Sequence, residues 1–96
     1  MKSKDWTWKF VTASELLSKG ACELCCVNLE PSNTNANINI YNGENTLGEK
    51  IVGLFTSVKI NREFYPTTPI YCGRGLYVEV VAFTTGVFVH WRELGQ

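Results

Sequence analysis

Apolar and polar residues alternate along most of the chain with a period of two, which is the pattern of half-buried β-strands. Residues 76–83 show this pattern most strongly, and residues 87–91 repeat it after the turn-forming residues 84–86. We predict a strand in each segment and expect the two strands to form a β-hairpin.

The first half of the chain contains similar segments. In residues 6–12, the aromatic residues Trp6, Trp8 and Phe10 share one face at period two, which predicts a half-buried strand. In residues 36–41, every second residue is apolar and asparagines stand between them, which predicts apolar side chains inward and asparagines outward. Further strands are predicted at residues 51–55 and 60–64.

Residues 21–30 are apolar on both faces of the predicted strand. With regular alternation, Leu24 shares a face with Cys22, and Val27 and Leu29 share the other face with Cys25. This pattern is typical of a central strand that is covered on both sides.

Turn-forming residues separate these segments. Residues 31–35 are turn formers and predict the end of the strand before them. The polar stretch after Tyr41 predicts a loop that ends near Gly48. Pro66 and Pro69 predict an extended segment outside a central ladder. Gly75 is expected to let the chain enter the next strand.

Residues 14–20 form the only helix-like stretch, one or two turns that would end at Gly20. A loop that carries Leu16 and Leu17 into the core fits the same residues equally well. Either way, about seven or eight short strands remain, which predicts an all-β fold: an antiparallel β-sandwich, jelly-roll-like or Greek key. We expect a single domain over residues 1–96, with residues 1–13 as an N-terminal arm or an added edge strand.

Composition narrows the function. The chain has 96 residues, of which 45% are hydrophobic, and its nine basic residues balance nine acidic ones. This length suits one core, and a neutral domain is a poor candidate for binding nucleic acid or an anionic membrane. The apolar runs are too short to cross a bilayer, and no signal-peptide pattern begins the chain.

The four cysteines are Cys22, Cys25, Cys26 and Cys72. In a regular strand, Cys22 and Cys26 lie on one face and Cys25 lies on the other, so these thiols cannot converge on one ion. We therefore predict no metal site and expect small buried side chains in the reduced form. A disulfide from Cys72 to Cys22 or to Cys26 is the alternative, and the sequence leaves the state of the thiols open.

The inventory of catalytic side chains is short. His90 is the only histidine, and it is predicted on the solvent face of its strand; Asp5 is the only aspartate and lies near the N-terminus. Glu63 and Glu79 alternate with apolar residues and are expected to face solvent. We predict no enzyme, no catalytic residue and no cofactor, with a Cys–His pair using Cys72 as the remaining catalytic alternative.

Aromatic residues exceed what a small core must hold. They include Trp6, Trp8, Tyr41, Tyr65, Tyr71, Tyr77 and Trp91. Exposed members could stack on sugar rings or fill a pocket in a partner protein, and core packing is the alternative.

The order of features from residue 21 to residue 92 is similar to that of a known class of proteins. These features are Val27-Asn28-Leu29, Ile38-Asn39-Ile40-Tyr41-Asn42-Gly43, Asn45-Thr46-x-Gly48-x-Lys50-Ile51, Gly75-Leu76-Tyr77-Val78 and Gly86-Val87-Phe88-Val89-His90-Trp91-Arg92. They resemble the small β-sandwich virion structural proteins of tailed bacteriophages, of the capsid decoration or head or tail fibre type. The cysteines and the tryptophan-rich opening depart from that pattern.

The resemblance implies a non-enzymatic structural protein located in the virion and assembled in the host cytoplasm. We expect a capsid decoration, or cement, protein that binds the major capsid protein or another virion protein as an oligomer. The expected oligomer is a homotrimer, because such proteins commonly act as trimers. The alternative is a carbohydrate-binding or receptor-binding module of a virion fibre or tail.

Overall fold

Alternating apolar segments form the strands of two antiparallel sheets in the computed structural model, which describes residues 6–94. Nine strands and no helix occur over these residues. The strands are β1 (Thr7–Val11), β2 (Glu15–Ser18), β3 (Cys22–Pro31), β4 (Ala36–Asn42), β5 (Glu49–Thr56), β6 (Arg62–Phe64), β7 (Ile70–Cys72), β8 (Leu76–Ala82) and β9 (Thr84–Glu93). Residues 1–5, which include Asp5 and part of the expected arm, and residues 95–96 lie outside the described range.

The topology is that of a jelly roll. The five-stranded sheet has the order β1-β9-β3-β6, and the short strand β7 also pairs with β3; the four-stranded sheet has the order β2-β8-β4-β5. When β6 and β7 are counted as one interrupted strand, each sheet has four positions in jelly-roll order. The predicted antiparallel β-sandwich is therefore confirmed.

The core lies between the two sheets. Its residues share positions that point from one sheet toward the other, and nearly all of them are inaccessible to solvent. They are Val11, Cys22, Leu24, Val27, Leu29, Ala36, Ile38, Ile40, Cys72, Leu76, Val78, Val87, Val89 and Trp91. The inward prediction for the apolar residues of segment 36–41 is thus confirmed.

An ion pair joins the edge strands β1 and β2 on one side of the sandwich. Lys9 lies opposite Val89 on the inner face of β1, and its Nζ contacts the Glu15 carboxylate of β2. The ion pair therefore joins the two sheets. Charged side chains that point inward on edge strands also discourage edge-to-edge aggregation.

The predicted hairpin of residues 76–83 and 87–91 is wrong. Strand β8 pairs with β2 and β4, whereas β9 pairs with β1 and β3, so the chain crosses between sheets at Phe83. Phe83 has a φ of 48°, and its carbonyl accepts a hydrogen bond of 2.8 Å from the Ser32 amide. Two alternating segments joined by a short turn do not specify whether they pair with each other or continue into the facing sheet.

The helix-like interpretation of residues 14–20 is also wrong. This segment forms β2, which pairs with β8 through Glu15↔Val78 and Leu16↔Tyr77. A segment this short has no strong helix propensity of its own, and pairing with β8 decides its conformation. None of the described residues lies in a helix that is long and apolar enough to cross a membrane.

The loop from β4 to β5 ends beside Gly48, as predicted, and Gly75 packs against it. Gly75 has a φ of 135°, and an added Cβ would lie 2.7 Å from the Ser18 carbonyl oxygen and 2.9 Å from the Gly43 carbonyl oxygen. Only glycine fits this position, since the backbone conformation and the close approach each exclude a side chain.

Candidate functional site

A row of aromatic rings runs along the outer face of the five-stranded sheet. We call Trp6, Trp8, Phe10, Phe88 and His90 the aromatic ladder. The ring centroids are 5.2 Å apart for Trp8 and Phe88, 5.2 Å for Phe10 and Phe88, and 5.7 Å for Trp6 and His90, with tilted planes. These are favourable separations for aromatic contacts.

Strand β9 sets the direction of the ladder. Val87 and Val89 are fully buried, so Phe88 and the next alternate residue, His90, must point away from the core. The register places Phe10 opposite Phe88 and Trp8 opposite His90. The predicted strand of residues 6–12 is confirmed as β1, and the face that Trp6, Trp8 and Phe10 share is its outer face, where Trp8 is 63% exposed.

The two ends of the ladder are anchored differently. At one end the Phe10 ring lies over Gly86, where an added Cβ would approach a ring carbon to 2.3 Å. At the other end the Arg92 guanidinium lies 4.5 Å from the centroid of the Trp6 ring and donates a hydrogen bond of 2.7 Å to Glu23. Cation–π contact and the ion pair together hold Arg92 over the sheet.

A β-bulge in β3 brings two cysteines beside the ladder. Leu24 lies opposite Trp91 and Cys26 lies opposite His90, which leaves Cys25 as an extra residue without a partner on β9. The extra residue shifts the alternation by one position. Leu24 and Val27 therefore both point inward, and Cys25 and Cys26 both lie on the outer side, half-buried.

The predicted separation of the cysteines is wrong as a result. The regular-strand interpretation placed Cys22 with Cys26 and opposed them to Cys25, but the bulge places Cys25 and Cys26 together near His90. The two Sγ atoms and a ring nitrogen of His90 all lie within 4.8 Å of one another. The argument from alternation against convergence of cysteine ligands therefore does not hold for this pair.

An open cavity of about 500 Å³ lies over this group. It is lined by aromatic, thiol and polar side chains from β1, β3, β9 and the region of β6. The lining residues are Trp8, Cys25, Cys26, Val27, Asn28, Glu63, Phe64, Tyr65, Phe88, Val89 and His90. Its volume lies within the range of small-molecule sites.

The electrostatics of the cavity keep the Cys26 thiol protonated at neutral pH. Burial raises the pKa of Cys26 to about 11, and the hydrogen bond with Cys25 and the charges of Cys25 and Glu63 act in the same direction. An activated cysteine nucleophile needs a lowered pKa instead. Glu63 is exposed, as predicted, and accepts a hydrogen bond of 3.0 Å from the Asn28 amide.

The other two cysteines lie on the inner side of the same sheet. Cys22 and Cys72 face each other directly across β3 and β7 and are fully buried. The hydrogen-bond contact with Cys22, with burial as a further cause, raises the pKa of Cys72 far above its usual range. The predicted burial is right for these two thiols, and the Cys–His pair using Cys72 is wrong because His90 points to the other side of the sheet.

The aromatic surplus is divided between the surface and the core. Tyr65 and Tyr71 are strongly exposed, whereas Trp91 is 7% exposed and packs in the core. Among the described residues, the buried Trp91 Nε1 has no hydrogen-bond partner.

No protein-family model matches the chain, and no curated protein sequence matches it significantly. Among solved structures, the chain is similar in fold to a protein chain described by the words "Bacillus endospore appendages form a novel family of disulfide-linked pili". The TM-score is 0.53, the sequence identity is 9%, and the alignment covers 100% of this chain and 93% of that chain. At this identity the similarity supports the β-sandwich fold of the chain and assigns it to no family.

Proposed function

We propose that the protein is a non-enzymatic structural protein of a virus particle, a capsid decoration protein that binds the capsid surface as an oligomer. The observation that carries the proposal is the aromatic ladder on the outer face of the five-stranded sheet. Trp8, Phe88 and the neighbouring Tyr65 are 63%, 45% and 74% exposed. Contiguous exposed aromatic groups mark surfaces that bind a partner.

The fold is consistent with this role. Jelly rolls occur in viral capsid and lectin domains, and the sequence resembles small virion proteins of tailed bacteriophages. One similar solved structure is described as belonging to disulfide-linked pili, which are also structural assemblies. The proposed partner is the major capsid protein or another virion protein, and the proposed location is the virion.

The proposed oligomer is a homotrimer. Strands β1 and β2 are edge strands of the two sheets, and β5 and β6 end the sheets on the other side. Association would cover some of these edges and would stabilise a domain whose single core is small. Analytical ultracentrifugation tests the oligomer: a concentration-independent monomer would contradict this part of the proposal.

Cosedimentation with capsids of the virus that encodes the chain tests the central proposal. Wild-type protein is expected to sediment with the capsids, and Trp8→Ala and Phe88→Ala are each expected to weaken binding by about 30-fold, as for a residue that contributes about 2 kcal/mol. Phe55→Ala is the matched control, because Phe55 is 56% exposed on the other sheet. Absence of wild-type binding, or equal loss in the control, would contradict the proposal.

A carbohydrate-binding module of a fibre or tail is the second candidate. The cavity of about 500 Å³ favours it, because Trp8 and Tyr65 offer stacking surfaces beside the polar groups of Asn28 and Glu63. A glycan array at high protein concentration distinguishes the two candidates. Binding that is lost in Trp8→Ala would support the module, and absence of any glycan signal would exclude it.

A further inference from the structure

We propose that Cys25, Cys26 and His90 form a binding site for a thiophilic d¹⁰ cation, Zn²⁺ or Cu⁺. The proposal does not depend on the function proposed above, because it rests on three side chains brought together by one bulge. It reverses the conclusion drawn from regular alternation in the sequence.

The donor set has the chemistry of such a site. Thiolate sulfur and imidazole nitrogen are the donors that Zn²⁺ prefers, and thiolates also select Cu⁺. Two cysteines and one histidine with an open fourth position form the three-ligand pattern of open zinc sites, in which water or another external ligand completes the tetrahedron. Binding would release the two thiol protons to solvent, since the metal binds the thiolate forms.

The backbone already holds the donors near the required geometry. Cys26 and His90 are direct partners across β3 and β9, and Cys25 is the bulge residue beside them. The three donor atoms lie within 4.8 Å of one another, whereas ligands of a tetrahedral zinc ion are about 3.3–3.8 Å apart. Small side-chain rotations close this difference, with no change in strand pairing.

The site is accessible, and its surroundings favour a cation. Cys25, Cys26 and His90 all line the open cavity, so an ion has an entry path. Glu63 lines the same cavity, and its carboxylate adds negative charge. The cavity also leaves room for a water or another external ligand at the fourth position.

The two inner cysteines provide the matched control. Cys22 and Cys72 are fully buried on the opposite side of the sheet, and no histidine or carboxylate joins them in a ligand cluster among residues 6–94. A variant at Cys72 therefore lowers the number of thiols by the same amount as a variant at Cys26 without touching the proposed site.

Metal titration of the reduced full-length chain tests the proposal. Co²⁺ serves as a spectroscopic probe for the zinc arm, and one ion per chain with thiolate-to-cobalt charge-transfer bands is the expected result. Cu⁺ is added separately under anaerobic conditions against a competing Cu⁺ chelator. Saturation in only one arm identifies the metal class, and absence of stoichiometric binding in both arms would overturn the proposal.

Variants locate the site. Cys26→Ser and His90→Gln are each expected to weaken metal binding by at least about 100-fold. Loss of a group that only hydrogen-bonds to a metal ligand already weakens metal binding by roughly 10–100-fold. Cys72→Ala is expected to retain wild-type affinity. Unchanged affinity in Cys26→Ser and His90→Gln, or equal loss in Cys72→Ala, would contradict the assignment. Circular dichroism of each variant checks that the sheet signal is retained.

Discussion

The outer faces of the two sheets are built from different chemistry. On the four-stranded sheet, Asn39 and the Tyr41 hydroxyl each donate a hydrogen bond of 3.0 Å to the same Glu79 carboxylate oxygen. On the five-stranded sheet, the corresponding positions carry the aromatic ladder and two thiols. All three close aromatic ring pairs found among residues 6–94 lie on this second face.

This difference is the reason why we propose the five-stranded face as the binding surface. Polar groups that satisfy one another gain little from further contact, because removal from water would cost desolvation without new hydrogen bonds. Exposed rings are stabilised by contact with a partner, because the contact removes their apolar surface from water. Half-buried thiols can gain a bond to a metal ion. The exposed Phe55 of the four-stranded sheet lies on its edge strand β5.

The largest expected effect concerns the inner faces of the two sheets, where we expect no difference between the sheets. Leu29→Ala and Ile38→Ala each remove a fully buried side chain, one from the inner face of each sheet. Each is expected to lower the free energy of unfolding by about 2–5 kcal/mol. Urea denaturation measures it. A loss below about 1 kcal/mol at either site would contradict the placement of both side chains in one shared core.

Oxidation distinguishes the inner thiol pair from the outer one. Cys22 and Cys72 are direct partners in an antiparallel pair, and such partners have Cα atoms about 4.5–5.5 Å apart, within the range of disulfides. Because both thiols are fully buried in the folded chain, refolding of the reduced chain in an oxidising thiol–disulfide buffer is expected to form this disulfide and to stabilise the protein by about 2–4 kcal/mol.

Peptide mapping without reductant and thermal unfolding measure the disulfide and its effect. Cys72→Ala is the control and is expected to show no gain in stability on oxidation. A disulfide from Cys72 to Cys26, the other pairing that the sequence left open, would contradict the placement of these thiols on opposite sides of β3.

Removal of the polar network tests the four-stranded face. Glu79→Ala leaves the Asn39 amide and the Tyr41 hydroxyl without their shared acceptor, and we expect a loss of about 1–2 kcal/mol in unfolding free energy. Capsid binding is expected to stay at the wild-type level. A variant with normal stability and weakened binding would show that this face, too, contacts the partner.

Alkaline titration tests the burial of the outer thiol Cys26. The folded pKa of Cys26, about 11, lies above its usual value of 9.0. Between these values the unfolded chain loses the proton that the folded chain keeps, so unfolding becomes more favourable as pH rises from about 9 to about 11. Denaturation with reductant at several pH values is expected to give a flatter decline for Cys26→Ser than for wild type. An identical decline would contradict the burial of this thiol.

Most of the fold class could be predicted from the sequence, because alternation directly reports which side chains a strand buries. It identified the inner residues of β4 and the outward position of His90. It did not identify the course of β8 and β9, since a short turn is compatible with pairing in one sheet and with crossing to the other. It did not show that the face of Trp8 points outward, because the inward-facing Lys9 is paired with Glu15, a residue of the facing sheet.

The candidate site was not predictable from regular alternation, because the bulge interrupts it. One signal was nevertheless present. Leu24 and Val27 stand three positions apart, and two such residues can both face the core only if an extra residue lies between them. The adjacent cysteines at positions 25 and 26 occupy that interruption. The contact with His90 depends on the pairing of β3 with β9, which a single sequence does not specify.

Hydroxyl-radical footprinting of free and capsid-bound protein tests the central claim most directly, because it reports the exposure of individual side chains on each face. The account predicts protection of Trp8, Tyr65 and Phe88 on binding, with oxidation of Phe55 and Tyr77 unchanged. Protection of Phe55 without protection of Trp8 and Phe88 would show that the four-stranded sheet forms the contact and would contradict the account.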